Sequence, residues 1–225
     1  MNLRSFYVLS AAALAVMLAT AVWGLAQVGP GATVPTHWNV QGEIDGTGPA
    51  WFAFLMIPVI TAGIVALMVL IPRIEPRREN LRRSAPAYRT TAIAVVLLMT
   101  VVQVVVVAAG TGLDVPVGFI LGCGLGVLFV VLGNVMGTVR SNFMFGVRTP
   151  WTLSSERSWD RTHRLVGRLF VVTGLLMIVL ALTGIPWLVI GVMLAMIAVT
   201  LVGGYWYSYR QWQADPDRRP TGSAA

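Results

Sequence analysis

Residues 73–89 read RIEPRRENLRRSAPAYR. Six arginines crowd this stretch, and the runs on either side, 51–71 and 91–109, hold no charged residue at all. A charged hinge between two uninterrupted apolar runs of about 20 residues is the pattern of a chain that crosses a bilayer, turns at the aqueous face and crosses back. Four more apolar runs lie outward from this pair, at 6–26, 117–137, 169–183 and 186–207. The run at 169–183 is short for a crossing, and a helix entering from the preceding loop would lengthen it. Composition agrees: 56% of the 225 residues are hydrophobic and only 11% charged, with a mean hydropathy of +0.77. Soluble domains carry about a quarter charged residues. The expected fold class is therefore all-α, a polytopic membrane protein of about six transmembrane helices.

Six crossings sort the 16 basic residues, all arginine, without remainder. Arg4 precedes the first span, and the 73–89 hinge follows the second. Arg140, Arg148, Arg157, Arg161, Arg164 and Arg168 follow the fourth, and Arg210, Arg218 and Arg219 follow the sixth. Every arginine falls on one side, so the positive-inside rule places both termini in the cytoplasm. The formal charge of +7 is thus accounted for by orientation and lipid headgroups, with no need for direct nucleic-acid contact. The first span, with Arg4 before it and small residues at 19–21, also has features of a signal peptide. Its removal would leave five spans and break the charge pattern. Cys123, the one cysteine, reads as a small core residue and allows no disulfide within the chain.

The apolar cores lack Asp, Glu, Lys, Arg and His, and their notable polar residues are Gln103 and Asn134. Pumps and ion carriers usually need buried ionisable groups, which lowers the standing of a coupled transporter. Pro58 predicts a kink in the second span. In the fourth, Gly118, Gly122, Gly126, Gly133 and Gly137 share one face and predict a close helix contact, within the bundle or between copies of the chain.

The outer side holds one substantial loop, 27–50. Gly42, Asp45-Gly46 and Gly48-Pro49 punctuate it, so it is expected to be compact. His37, Glu43 and Asp45 offer a nitrogen and two carboxylates in the combination that can hold a metal, although clusters this short commonly bond their own turns. No cofactor is expected. The inner loop 138–168 contains GVRTPWTLSSERSWDRTHR at 146–164. Thr149-Pro150 restricts the backbone, Thr152 or Ser154 is expected to cap a new helix, and Glu156 suits its first turn. Trp159, His163, Val166 and Phe170 then recur at helical spacing, and Asp160 stands four residues before Arg164. This predicts an interfacial cytoplasmic helix before the fifth span, lying on the membrane or running into it. Ser154 or Ser155, Asp160 and His163 have the letters of a catalytic triad. One helix and its cap are unsuited to triad geometry, and no enzyme activity is expected.

Two motifs together resemble the SdpI family, bacterial multispan membrane proteins named for immunity to a secreted toxic protein. The outer one is Pro35-Thr36-His37-Trp38-Asn39 with Gly42, Asp45 and Gly46. The inner one is Gly133-Asn134, Asn142, then Gly146-Val147-Arg148-Thr149-Pro150-Trp151-Thr152-Leu153, followed by Ser155, Trp159, Thr162-His163 and Gly167. The family often has a Lys-Lys-Pro-like run where this chain has 138–141, and a basic residue where it has Thr47. The resemblance implies membrane immunity against a secreted antimicrobial peptide or protein. It further implies an outer loop that meets the toxin and an inner surface that holds a cytoplasmic repressor. The alternative left open by the residues is a small membrane carrier or lipid-handling protein. The expected organisation is a two-span unit at 1–72, an Arg-rich cytoplasmic loop at 73–90, a four-span unit at 91–207 and a disordered cytoplasmic tail at 208–225. Beyond the lipid bilayer, an oligomer through Gly118, Gly122 and Gly126 is possible.

Overall fold

A computed structural model describes residues 3–218 of the chain. Six long apolar helices are present among them, each long enough to cross a membrane. They are α1 (Arg4–Val28), α2 (Ala50–Ile74), α4 (Ala85–Gly110), α5 (Val117–Met136), α7 (Glu156–Ala181), and α8 (Pro186–Ala198) continued by α9 (Gly204–Gln213). A π-helical turn, Val199–Gly203, joins α8 to α9. Two short helices, α3 (Arg78–Arg83) and α6 (Pro150–Ser154), lie in the Arg-rich loops. Among the described residues, the single departure from an all-α chain is a hairpin of β1 (Thr33–Trp38) and β2 (Ile44–Pro49) between α1 and α2.

Helices α1, α2 and α4 pack together, and α2 shows what holds them. It contains both Pro58 and Pro72, and each proline removes the N–H that would bond the carbonyl four residues back. In hydrocarbon such a carbonyl must find another donor. Gln103 on α4, fully buried, donates its Nε2 to Phe54 O at 3.0 Å. Tyr88, also on α4, donates its hydroxyl to Met68 O at 2.6 Å. One glutamine and one tyrosine on α4 thus answer the two prolines of α2. Above them the Phe54 ring fills the space left by two glycines: a Cβ on Gly24 would lie 2.8 Å from it, and one on Gly110 2.6 Å. α1 belongs to this unit along its length, with Phe6, Met17 and Ala21 fully buried.

The second unit is built on the contact between α5 and α7, which run antiparallel. A Cβ added at Gly126 would lie 2.7 Å from Gly174 O, and one at Gly133 would lie 2.5 Å from Gly167 O. Backbone meets backbone at both points, as small residues allow between membrane helices. Gly122 faces Ala181, and Gly118 faces Pro186 with only 2.7 Å to spare for a Cβ. The expected glycine face is therefore occupied inside the chain by α7 and α8. The oligomer through Gly118, Gly122 and Gly126 is corrected accordingly, since the face is filled by the chain's own helices. α4 packs on α1 and α2 as well as on α5, and so joins the two units.

Two other expectations change, and a third is narrowed to one of its alternatives. The fifth span is a single helix from Glu156, so the interfacial helix runs into the span as its first turns. Ser155 caps it, accepting from Ser158 N at 2.9 Å, and it runs unbroken to Ala181. Thr149, with Ser155, supplies the caps assigned beforehand to Thr152 or Ser154, while Pro150 occupies the first helical position, where its missing N–H costs nothing. The tail is helical to Gln213, and Asp215 beyond it is buried. Disorder therefore does not begin at 208, and residues 219–225 lie outside the described ones.

Candidate functional site

The Arg-rich segments meet at one end of the bundle, which charge placement makes the cytoplasmic end. They form a clasp around the inner motif. Asn142 is its pivot: fully buried, it accepts at Oδ1 from Met144 N (3.0 Å) and Phe145 N (2.6 Å), and donates at Nδ2 to Arg140 O and Phe145 O. All four neighbours are backbone groups of one tight turn, which no hydrophobic residue could satisfy. The turn ends at Gly146, whose φ is +116° and whose missing side chain makes room for the His163 ring, 2.5 Å from where a Cβ would stand.

His163 and Trp159 stack in the interior at 4.0 Å between ring centroids. Trp159 donates Nε1 to Val139 O at 2.7 Å. His163 accepts at Nε2 from Val147 N (2.9 Å) and donates at Nδ1 to Trp159 O (2.8 Å), which defines a neutral ring with its proton on Nδ1. Thr149 and Thr152 form a reciprocal cap, and Thr149 reaches Ser208 of α9 at 3.0 Å. Trp151 sits edge-on to Tyr205 at 4.5 Å, and Gly167 makes the α7 side of the contact with Gly133. Thr162 is buried and Leu153 half-buried. Of the inner motif, Arg148, Pro150 and Asn134 are exposed; Arg148 bends back to Phe143 O at 2.5 Å.

The sequence reading missed the groups that tie this clasp to α2. Glu75, at the end of α2 and fully buried, accepts from Arg77 N at 2.8 Å and from Phe143 N at 3.1 Å. Arg77 donates to Ser141 Oγ at 2.5 Å and to Leu153 O at 3.1 Å, and lies over the Phe143 ring. Asn80 donates to Ser141 O, and Ser84 Oγ accepts from Arg140 N. One signal was available: Glu75 is the acid placed at the very end of an apolar span, next to a proline. On the far side, Ser155 donates to Asp215 Oδ2 at 2.5 Å. The would-be triad is thereby dispersed, with Ser155 on Asp215, Ser154 on Pro150 O, and His163 held by backbone. Asp160 and Arg164 do not close the ion pair expected of them; among the described residues the pairs are Glu79 with Arg82 and Arg83, and His37 with Asp45.

At the opposite end stands the hairpin. Its strands pair from Thr33↔Pro49 to Trp38↔Ile44, with irregular register on both sides of His37. Gly46 lies opposite His37, where a Cβ would come within 2.9 Å of the histidine Cβ. At the tip, Asn39 Oδ1 accepts from Gln41 N and Glu43 N, and Gly42 takes φ +86°. His37 Nδ1 meets Asp45 Oδ1 at 2.6 Å, and Asn39 Nδ2 donates to Glu43 Oε2 at 3.0 Å. The candidate metal set is thus divided: Glu43 turns to Asn39, and His37 pairs with Asp45 alone. No group of three or more metal-binding side chains converges among the described residues. Beneath the hairpin, His37, Trp38, Met56, Ile57, Val105 and Leu121 border an apolar recess of about 300 Å³. Pro35 and Trp38 are half-buried, while His37, Asn39, Gly42 and Asp45 are divided between exposed and half-buried positions.

Fold and faces together define a class: a multi-pass membrane protein with a displayed outer hairpin and a buried cytoplasmic clasp. Comparison with known proteins then fixes the family. The profile described as the SdpI/YfhL protein family matches residues 138–204, and one described as a domain of unknown function (DUF1648) matches 12–62. The chain is 31% identical over 178 residues, 77% of its length and 83% of the relative's, to a protein named Immunity protein SdpI from Bacillus subtilis (strain 168). The chain belongs to the SdpI family and is a multi-pass protein of the bacterial cell membrane. No solved structure matches it.

Proposed function

We propose that the chain is an integral membrane immunity protein that protects its host cell from a secreted antimicrobial peptide or protein. The observation that carries this reading is the alignment over 178 residues with a relative named for immunity. The hairpin is the surface that meets the toxin: Trp38 supplies an aromatic contact, while Glu43 and Asp45 suit a cationic peptide. The chain acts by binding and not by bond cleavage, a reading supported by the structural partners of Ser155 and His163. Labour is divided between the N-terminal unit, 1–72, with the hairpin, and the C-terminal unit, 91–207, with the clasp. The exposed Arg148 and Pro150 beside Trp151 mark the inner surface for a cytoplasmic repressor.

The test is expression in a toxin-sensitive strain, challenged with the secreted peptides encoded by the same genome. Survival with the intact chain is expected, as is loss of survival with Trp38→Ala and Asn39→Ala at equal membrane abundance. A deletion strain whose sensitivity to every such peptide is unchanged overturns the reading. For the inner surface, a neighbouring helix-turn-helix repressor is expected to sediment with membranes only when toxin and the intact chain are both present.

A further inference from the structure

One surface carries groups that neither the hairpin nor the clasp uses. Along α7, Glu156, Asp160, Arg164, Arg168 and Val172 stand four residues apart, which places successive side chains one above another on adjoining turns. From the cytoplasm inward the row reads acid, acid, base, base, apolar. Beside it lies the last turn of α5, where Asn134 is exposed. Two recesses meet along this row. The outer, of about 650 Å³, is bordered by Glu156, Asp160, Arg140 and Arg164, and by Arg83, whose guanidinium is paired with Glu79. The inner, of about 530 Å³, shares Gly137 and Arg164 with it and continues past Asn134 and Arg168 to Val171 and Val172.

The polar side chains of this row are not spent on the fold. Among the described residues, Glu156, Asp160, Arg164, Arg168 and Asn134 make no side-chain hydrogen bond or ion pair. Asn134, exposed on a membrane helix, is costly without a polar partner. We propose that these joined recesses bind one phospholipid with an ethanolamine-type headgroup. Its phosphate lies between Arg164, Arg168 and Asn134, its ammonium turns outward to Asp160 and Glu156, and one acyl chain follows Val171 and Val172. Guanidinium groups match phosphate oxygens in fork geometry. The two carboxylates decide the headgroup, because a purely anionic lipid would bring its extra negative charge toward them. Order along the row matters more than net charge, since salt screens beyond about 8 Å. The assignment is independent of the immunity reading.

The experiment is native mass spectrometry of the full chain extracted from nanodiscs of equal phosphatidylethanolamine and phosphatidylglycerol. The intact chain is expected to retain one phosphatidylethanolamine with about fivefold preference, the size of one exposed charge pair. Glu156→Gln with Asp160→Asn keeps a bound lipid and loses the preference. Arg164→Gln with Arg168→Gln loses the lipid. Equal or greater retention of phosphatidylglycerol by the intact chain, no retained lipid, or an unaffected arginine double variant overturns the assignment. All four positions are exposed or half-buried, so the variants leave the helix bundle intact.

Discussion

The hairpin and the clasp each carry a motif and put it to opposite use. In the clasp, Asn142, Trp159, Thr152 and His163 are almost wholly buried and spend their polar atoms on backbone groups, Asn142 and Thr152 within their own turns and Trp159 and His163 across to the segment that precedes their helix. In the hairpin, His37, Asp45, Asn39 and Glu43 bond only each other or their own turn, and the His37 side chain remains 71% exposed. A motif can therefore be demanding because the fold depends on it or because a surface must be displayed. The inner motif is mainly of the first kind, and the outer, whose polar groups stay at the surface, suits the second on the proposed function.

The comparison breaks if clasp and hairpin substitutions act alike on stability. The largest effect is expected from Trp159→Ala, which removes a fully buried ring, its bond to Val139 O and its stack on His163. Loss of a buried aromatic costs about 3–5 kcal/mol. Thermal unfolding of the purified chain in detergent measures it, and a midpoint unchanged from the parent would deny the clasp its structural role. Next is Glu75→Ala, which leaves the Phe143 and Arg77 amides without their buried acceptor and costs about 1–3 kcal/mol. Increased proteolysis within 138–149 is the sign that this latch, rather than α2 alone, has opened.

Smaller, but more specific, is the link between Gln103 and Pro58. Gln103→Leu leaves Phe54 O without a donor inside the bilayer and is expected to cost about 1 kcal/mol. In a Pro58→Ala background, the restored helical N–H reaches that same carbonyl, so the cost should shrink. Additive effects in this double-mutant cycle would show that the two residues are not coupled. This pair also shows how much of the fold was legible. The spans and their orientation followed from the apolar runs and arginine placement, because each is a local property. Gln103 and Pro58 were both conspicuous, yet their relation was not, because it depends on which helices become neighbours. Glu75 and Asp215 were hidden for the same reason: their partners lie 68 and 60 positions away. The hairpin was legible only as a compact loop, since Ile44–Pro49, with two glycines and a proline, lacks the usual composition of a strand.

The smallest effect on stability, and the sharpest test of the comparison, belongs to the hairpin tip. Asn39→Ala would free the turn amides of Gln41 and Glu43 and release the Glu43 carboxylate. All of these groups reach water, so none is left stranded, and the loss of stability should stay within about 0.5 kcal/mol. The consequence for recognition is different, because the same side chain sets the geometry of the tip that displays Trp38 and Glu43. Protection against the toxin should fall sharply while the thermal midpoint stays near that of the parent. The opposite result, full protection from a measurably less stable protein, would mean that the hairpin serves the bundle as a lid. The surface that meets the toxin would then have to be sought in the apolar recess beneath it, between Trp38, Met56 and Leu121.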